Sequence, residues 1–210
     1  MRSRCSNNHR CKSLSRRMST WLQSWRRKTM NPLIKAAIEQ GRLVLLLGAG
    51  ASGACKDRGG QALMDGNALA QHLAGEAGLA YAGEALPVVY AASRRVLGTR
   101  ADRLLEAAFK HTRPSREYEA LARYPWARVY TLNVDDAFEQ ALRRNSKQHV
   151  NVRFRFDRIV DRSPFFDELD LIKLNGSVDR LAEGLIFSPQ EYGVASAAAP
   201  LWYEDRKSVV

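Results

Sequence analysis

Five consecutive apolar residues, Leu43-Val44-Leu45-Leu46-Leu47, run directly into Gly48-Ala49-Gly50-Ala51-Ser52-Gly53. An apolar run of this length with a glycine-rich exit reads as a buried parallel strand that turns sharply toward a helix. The glycines stand at G-x-G-x-x-G spacing, which lets backbone N–H groups approach an anion without interference from a Cβ. Such a turn at a helix start is a ready phosphate site. A plainer reading, a strand-to-loop turn whose small residues only relieve packing, fits the same residues, and the bare motif does not choose between them.

The rest of the chain sets this junction in a pattern of alternating elements. A short helix is expected over Pro32–Gln40, ending at Gly41, and the first strand over Arg42–Leu47. The stretch Ser52–Gly66 is rich in glycine and charge and reads as a loop over the candidate site. Leu69, Leu73 and Ala77 stand at helical spacing within Asn67–Leu79, and further helices are expected over Pro87–Leu97 and Arg100–Lys110. Ser115 is placed to cap a short helix running to Arg123, which Tyr124-Pro125-Trp126 breaks. Strands are then expected at Arg128–Leu132, Val150–Phe156, Leu169–Leu174 and Leu185–Ser188, with helices over Asp135–Arg144 and from Pro189 onward. Strands alternating with helices predict an α/β fold, a Rossmann-like parallel sheet with helices on both faces. Ligands bind outside the carboxyl ends of the strands in such folds. Three polar clusters fall at expected strand ends: Gly48–Ser52, Thr131–Asp135 and Asn175–Ser177.

Charge and cysteines narrow the classes of function. The net charge of +11 looks like a nucleic-acid signal until it is located. Residues 1–30 carry nine Lys or Arg and no acid, so residues 31–210 hold twenty-four basic and twenty-two acidic side chains and are nearly neutral. The basicity belongs to a Ser- and Arg-rich leader without a core-forming pattern, expected to be disordered, with residues 31–210 forming the domain. Three readings compete for that leader: a polyanion-binding arm, through which nucleic acid would be a partner; a transit-type targeting segment; or translation from an upstream start codon, the favoured one. Asn31-Pro32 resembles a natural domain start, with an N-cap followed by proline at the first helical position. Trp21 and Trp25, four apart on the basic leader, would also suit a membrane surface or RNA. Cys5, Cys11 and Cys55 form no C-x-x-C pair and have no histidine at zinc-ligand spacing, so no zinc site is expected and a reducing, cytoplasmic setting is. No apolar stretch reaches the length of a membrane span.

Four segments, in this order, resemble the sirtuin-like NAD-binding family over roughly Leu43 to Tyr203. Leu47-Gly48-Ala49-Gly50-Ala51-Ser52 is similar to its first phosphate-binding turn, and Thr131-Leu132-Asn133-Val134-Asp135 to its Thr-x-Asn-x-Asp element. Lys173-Leu174-Asn175-Gly176-Ser177 stands in place of a Lys-Leu-His-Gly-Ser segment, and Ser188-Pro189-Gln190-Glu191-Tyr192 matches a downstream segment that usually ends in Glu-Tyr. The absence of zinc-ribbon cysteines resembles the antiphage-defence branch, whose members typically cleave NAD rather than deacylate proteins. The resemblance implies NAD as ligand or substrate and contacts from Gly48, Ala49, Gly50, Ala51, Ser52, Gly176 and Ser177. It implies further that Asn133 positions a water against the ribose carbon bearing nicotinamide, and that Asp135 supports the nicotinamide end or its ribose.

The implied chemistry suits these residue types. Nicotinamide leaves NAD from a cationic pyridinium, so the site needs no general acid; it must hold the ribose, shield an oxocarbenium-like transition state and present one oriented water. An Asn side chain can accept from that water and donate to a ribose hydroxyl. The departure is Asn175, which replaces the family's usual catalytic histidine with an amide that does not titrate. Loss of a general base typically lowers rates about a hundred- to ten-thousand-fold. Deacylation is therefore disfavoured, while slow NAD hydrolysis with Asn133 and Asn175 as the catalytic pair survives. So does a sensor that only binds NAD or ADP-ribose, and so does a nucleic-acid-associated module resting on the leader.

The bland alternatives are specific. Asn133 at a strand end is ordinarily a helix N-cap, and Asp135 or Asp136 a first-turn carboxylate. Asn175-Gly176 alone is a turn dipeptide. Lys173, alternating with Leu174, reads as a solvated or edge side chain, and Cys55 as a bystander without an adjacent base. His72, His111 and His149 read as solvated. The segment from Pro200 through Lys207-Ser208-Val209-Val210 looks like the approach to another strand, so the sheet is expected to be incomplete at the C-terminus. A homo-oligomer, a partner chain or a further domain would then complete it, because an open edge is an association hazard.

Overall fold

The computed structural model describes residues 31–158 and 167–198; the basic leader and the expected strand beyond Pro200 lie outside the described residues. The chain divides into two units, Met1–Arg42 and Leu43–Val210. In the first, helix α1 (Pro32–Glu39) starts as its sequence predicts. Asn31 Oδ1 accepts from the backbone N–H of Leu33, proline sits in the first turn, and Gly41 follows the end with φ of 60°.

The second unit is built on four parallel strands: β1 (Val44–Leu47), β2 (Arg128–Thr131), β3 (His149–Phe154) and β4 (Glu168–Lys173). Their spatial order is β1-β2-β4-β3, so the chain passes from β2 to the far strand and returns to insert β4 between them. Helices α2 (Gly66–Glu76), α3 (Leu86–Leu97), α4 (Thr99–Phe109) and α5 (Arg116–Leu121) separate β1 from β2. Helix α6 (Ala137–Asn145) follows β2, and α7 (Pro189–Ala198) comes last. Parallel strands require such crossovers, which is why the helical patterns fall between the apolar runs.

Side chains alternate across the sheet with period two. Leu45, Leu47, Val129, Leu169 and Leu171 face a large core with Leu69, Leu73, Leu105, Tyr118, Phe138 and Leu142 from α2, α4, α5 and α6. Val44, Tyr130, Ile172 and Leu174 face a smaller cluster closed by Ile186, Tyr192 and Ala195. The sheet is therefore covered on both faces, as the alternation of elements predicts.

The first strand is not uniformly buried: β1 has a neighbour on one side only among the described residues, and Leu46 is 53% exposed. The continuous apolar run conceals this, because its residues look alike whichever face they occupy. Leu185–Ser188 is not a strand; it is irregular chain tied to the sheet through Ile186 N–H donating to the Asn175 carbonyl. Gly184, at φ of 76°, turns the backbone just before it, and Glu191 engages the N–H groups of Phe187 and Ser188. The helix expected from Asp135 begins at Ala137: Asp135 Oδ1 accepts from the Ala137 N–H, and Asp136, the residue just before the helix, accepts from the Thr112 N–H.

The two faces of β1 predict opposite sensitivities. Leu47→Ala removes a side chain from the main core and should cost about 2–5 kcal/mol. Leu46→Lys should change stability by no more than about 0.5 kcal/mol. Urea unfolding of both variants checks the register; equal losses would contradict it.

Candidate functional site

The carboxyl ends of β1, β2 and β4 lie side by side. Leu132 N–H donates to the Leu47 carbonyl and Leu174 N–H to the Thr131 carbonyl, so the residues leaving each strand are neighbours. All three polar clusters singled out in the sequence therefore meet along one rim of the sheet.

At the β1 end, Ala49–Ser52 forms a single 3-10 turn, and the expected loop follows it as far as the helix that starts at Gly66. Ala51 N–H closes on the Gly48 carbonyl, and Gly53 N–H on that of Gly50. The first N–H groups of the turn, at Ala49 and Gly50, have no carbonyl within it to bond. Gly48, Ala49 and Gly50 are exposed, while Ala51 is partly buried against the core and Ser52 is buried. Gly48 and Gly50 have no positive φ, so the backbone itself does not demand glycine there. A Cβ added at either would meet nothing within 4 Å. The missing side chains leave room above the turn for something to approach its backbone closely.

The β2 end is joined to this turn by side chains. Asn133 Nδ2 donates to Ser52 Oγ at 2.8 Å and to the Tyr118 hydroxyl at 3.1 Å, and the two hydroxyls lie 3.0 Å apart. The Asn133 backbone N–H donates to Thr131 Oγ1, which fixes the turn leaving β2. Asn133 Oδ1 is buried and has no hydrogen-bond partner. Both amide hydrogens are committed to the protein, so only the acceptor remains available. That refines the sequence reading, in which the same amide donated to a ribose hydroxyl. Asn133 is not the N-cap of α6; that position is Asp136.

Asp135 is buried, and its Oδ1 accepts from the Ala137 N–H. Burial pushes its carboxyl above the usual range, an effect that the Lys173 charge and the Ser52 hydroxyl oppose. Asp136 serves the fold: it accepts from the N–H groups of His111 and Thr112, the Thr112 hydroxyl and Gln140 Nε2. Burial alone would raise its carboxyl, but these donors hold it below the ordinary value.

Lys173, read from its alternation as solvated or at an edge, is fully buried on the central strand β4. Its ammonium pairs with Glu139 of α6 at 2.5 Å and donates to the carbonyl oxygens of Asp135 at 2.5 Å and Val134 at 3.4 Å. Three acceptors match three donors, which is the condition under which a buried charge is tolerated. Burial raises the Glu139 carboxyl against the pull of Lys173. The loop carrying Asn133 and Asp135 is thus strapped to β4 from beneath.

At the β4 end, Asn175 is half-buried and its Oδ1 also lacks a partner. Gly176 and Ser177 have evident structural tasks. Gly176 adopts φ of 91°, and a Cβ there would stand 2.7 Å from the Gly184 carbonyl. Ser177 is fully buried and caps the following 3-10 segment, its Oγ accepting from Asp179 N–H. Ser188 and Glu191 form a capping box at the start of α7, Ser188 Oγ accepting from Glu191 N–H while Glu191 accepts in return.

Tyr118 carries no motif, and only its placement beside Ser52 reveals it. Arg155, just beyond β3, was likewise unmarked; it is buried, donates through Nη2 to the Glu183 and Gly184 carbonyls, and leaves Nε and Nη1 unpartnered. Cys55 is buried beneath the site with its thiol pushed up by burial, as befits a bystander. Among the described residues there is no His, Cys, Asp and Glu grouping able to hold a metal, and no helix long and apolar enough to cross a membrane. Comparison with protein-family models and with curated proteins returned no match.

Lys173→Met should lower stability by about 3–5 kcal/mol, because Glu139 is left buried and unpaired. Adding Glu139→Leu should recover part of that loss. Urea unfolding of the single and double variants tests this, and a double variant no more stable than the single one would contradict the pairing.

Proposed function

We propose that this chain binds NAD along the sheet rim and hydrolyses the bond between nicotinamide and ribose, releasing nicotinamide and ADP-ribose. The observation that carries the reading is the hydrogen bond from Asn133 to Ser52, which ties the strand-end amide to the open glycine turn. The order of the four motifs resembling the sirtuin-like family supports it, and a role as the effector domain of a defence protein follows from that resemblance alone.

The residues fit the parts of a dinucleotide. The pyrophosphate would lie over the Ala49 and Gly50 N–H groups, where missing side chains allow close approach. Asn133 would accept from a ribose hydroxyl or from the attacking water, the one role its side chain has left. Asp135 would lie near the pyridinium end, where its carboxyl, when ionised, would favour the cation. Water adds to the ribose carbon as the C–N bond breaks, the bond's electron pair leaves with nicotinamide, which becomes neutral, and the water's surplus proton passes to solvent. No protein group need protonate the leaving group.

A second reading, a sensor that binds NAD or ADP-ribose without turnover, is favoured by one residue. Asn175 presents an amide that cannot take up a proton, so hydrolysis here proceeds without a general base at that position.

Incubation with NAD and measurement of released nicotinamide tests the reading. Turnover should be slow and should fall at least about a hundredfold in Asn133→Ala. Tight binding without release selects the sensor. Absence of both binding and release overturns the NAD assignment.

A further inference from the structure

Tyr118 lies far from every motif in the sequence, yet its hydroxyl sits inside the site. It is 1% exposed, and its ring packs edge-on against Phe138 of α6 with centroids 5.0 Å apart. Helix α5, which carries it, is anchored at its start. Ser115 Oγ accepts from Tyr118 N–H, and Ser115 N–H reaches the buried sulfur of Cys55, just beyond the glycine turn. The hydroxyl is therefore held from two sides by packed elements rather than resting in a mobile loop.

An asparagine amide is nearly symmetric in shape, so its orientation is decided by partners. Here Nδ2 donates to Ser52 Oγ and to the Tyr118 hydroxyl, while Oδ1 has no partner. The Ser52 hydrogen goes to the Asp135 carboxyl, which leaves the Ser52 oxygen to accept. We infer that Tyr118 is a positioning residue which, with Ser52, locks the Asn133 side chain so that it offers only a hydrogen-bond acceptor. The group that meets Asn133 must then be a donor: a sugar hydroxyl or an ordered water, and not a carbonyl or phosphate oxygen. Identifying that donor with NAD rests on the proposed function; the lock itself does not. Burial also pushes the Tyr118 hydroxyl above its ordinary pKa, so it stays neutral across the working range.

The lock acts through Asn133, which separates it from a merely structural role. In the ¹⁵N-labelled full chain, the Asn133 side-chain amide signals are those lost in Asn133→Ala. In Tyr118→Phe, solvent exchange of these amide protons should quicken, and NAD binding by calorimetry should weaken about five- to tenfold, the effect of one lost hydrogen bond. In the Asn133→Ala background, Tyr118→Phe should weaken NAD binding no further. Unchanged Asn133 signals in Tyr118→Phe would overturn the inference, and so would a binding loss that persists in full without Asn133. Should Tyr118→Phe fail to fold, Ser52→Ala removes the other acceptor and is judged by the same amide signals. If the unmodified chain binds neither NAD nor ADP-ribose, the proposed function fails, and amide exchange alone still decides the lock.

Discussion

The buried ammonium of Lys173 holds the rim of this sheet together. One side chain reaches from the central strand to a helix carboxylate, Glu139, and to two backbone carbonyls of the loop that carries Asn133 and Asp135. Those carbonyls point into the interior, where an unpaired polar group would cost about 1–3 kcal/mol each. The charge pair adds little net stability over an apolar replacement, because desolvation of both ions offsets their attraction. What it provides is geometry. With the loop strapped down, Asn133 stands opposite Ser52 and the strand-end amide meets the glycine turn.

From this constraint a division of labour follows. On the β1 side a Cβ at Gly48 or Gly50 would meet nothing within 4 Å, while the β2 side offers an amide oxygen and a buried carboxyl group. A ligand with an anion at one end and a hydroxyl-bearing, positively charged group at the other satisfies both sides. The proposed ligand, NAD, has that order of groups, and because its nicotinamide leaves from a cationic pyridinium the proposed reaction needs little acid chemistry from the protein. Asn175 suits such a site: it cannot titrate, and its free oxygen is one more acceptor along the rim.

Much of this arrangement was legible in the sequence where local chemistry decides structure. The apolar run into glycines, the Asn31 and Ser115 caps and the proline break at Pro125 all report short-range preferences. The parallel α/β class follows from alternating elements, and the meeting of three strand ends follows from that class. Features that depend on distant partners were not legible. Lys173 looks solvated until a helix thirty-four residues away places Glu139 beneath it. Tyr118 is one aromatic among several until the fold brings it to Ser52. Leu185–Ser188 has the apolar content of a strand, but Gly184 and the capping box turn its backbone to other uses. Ser177 reads as a ligand contact by motif, although in the structure its hydroxyl caps the next segment.

A crystal structure of the chain soaked with ADP-ribose addresses the central claim most directly, since it needs no turnover. The diphosphate should lie against the Ala49 and Gly50 N–H groups, with a ribose hydroxyl donating to Asn133 Oδ1. A ligand bound on another part of the surface, or a sugar turned away from Asn133 with its amide contacts to Ser52 and Tyr118 broken, would contradict it.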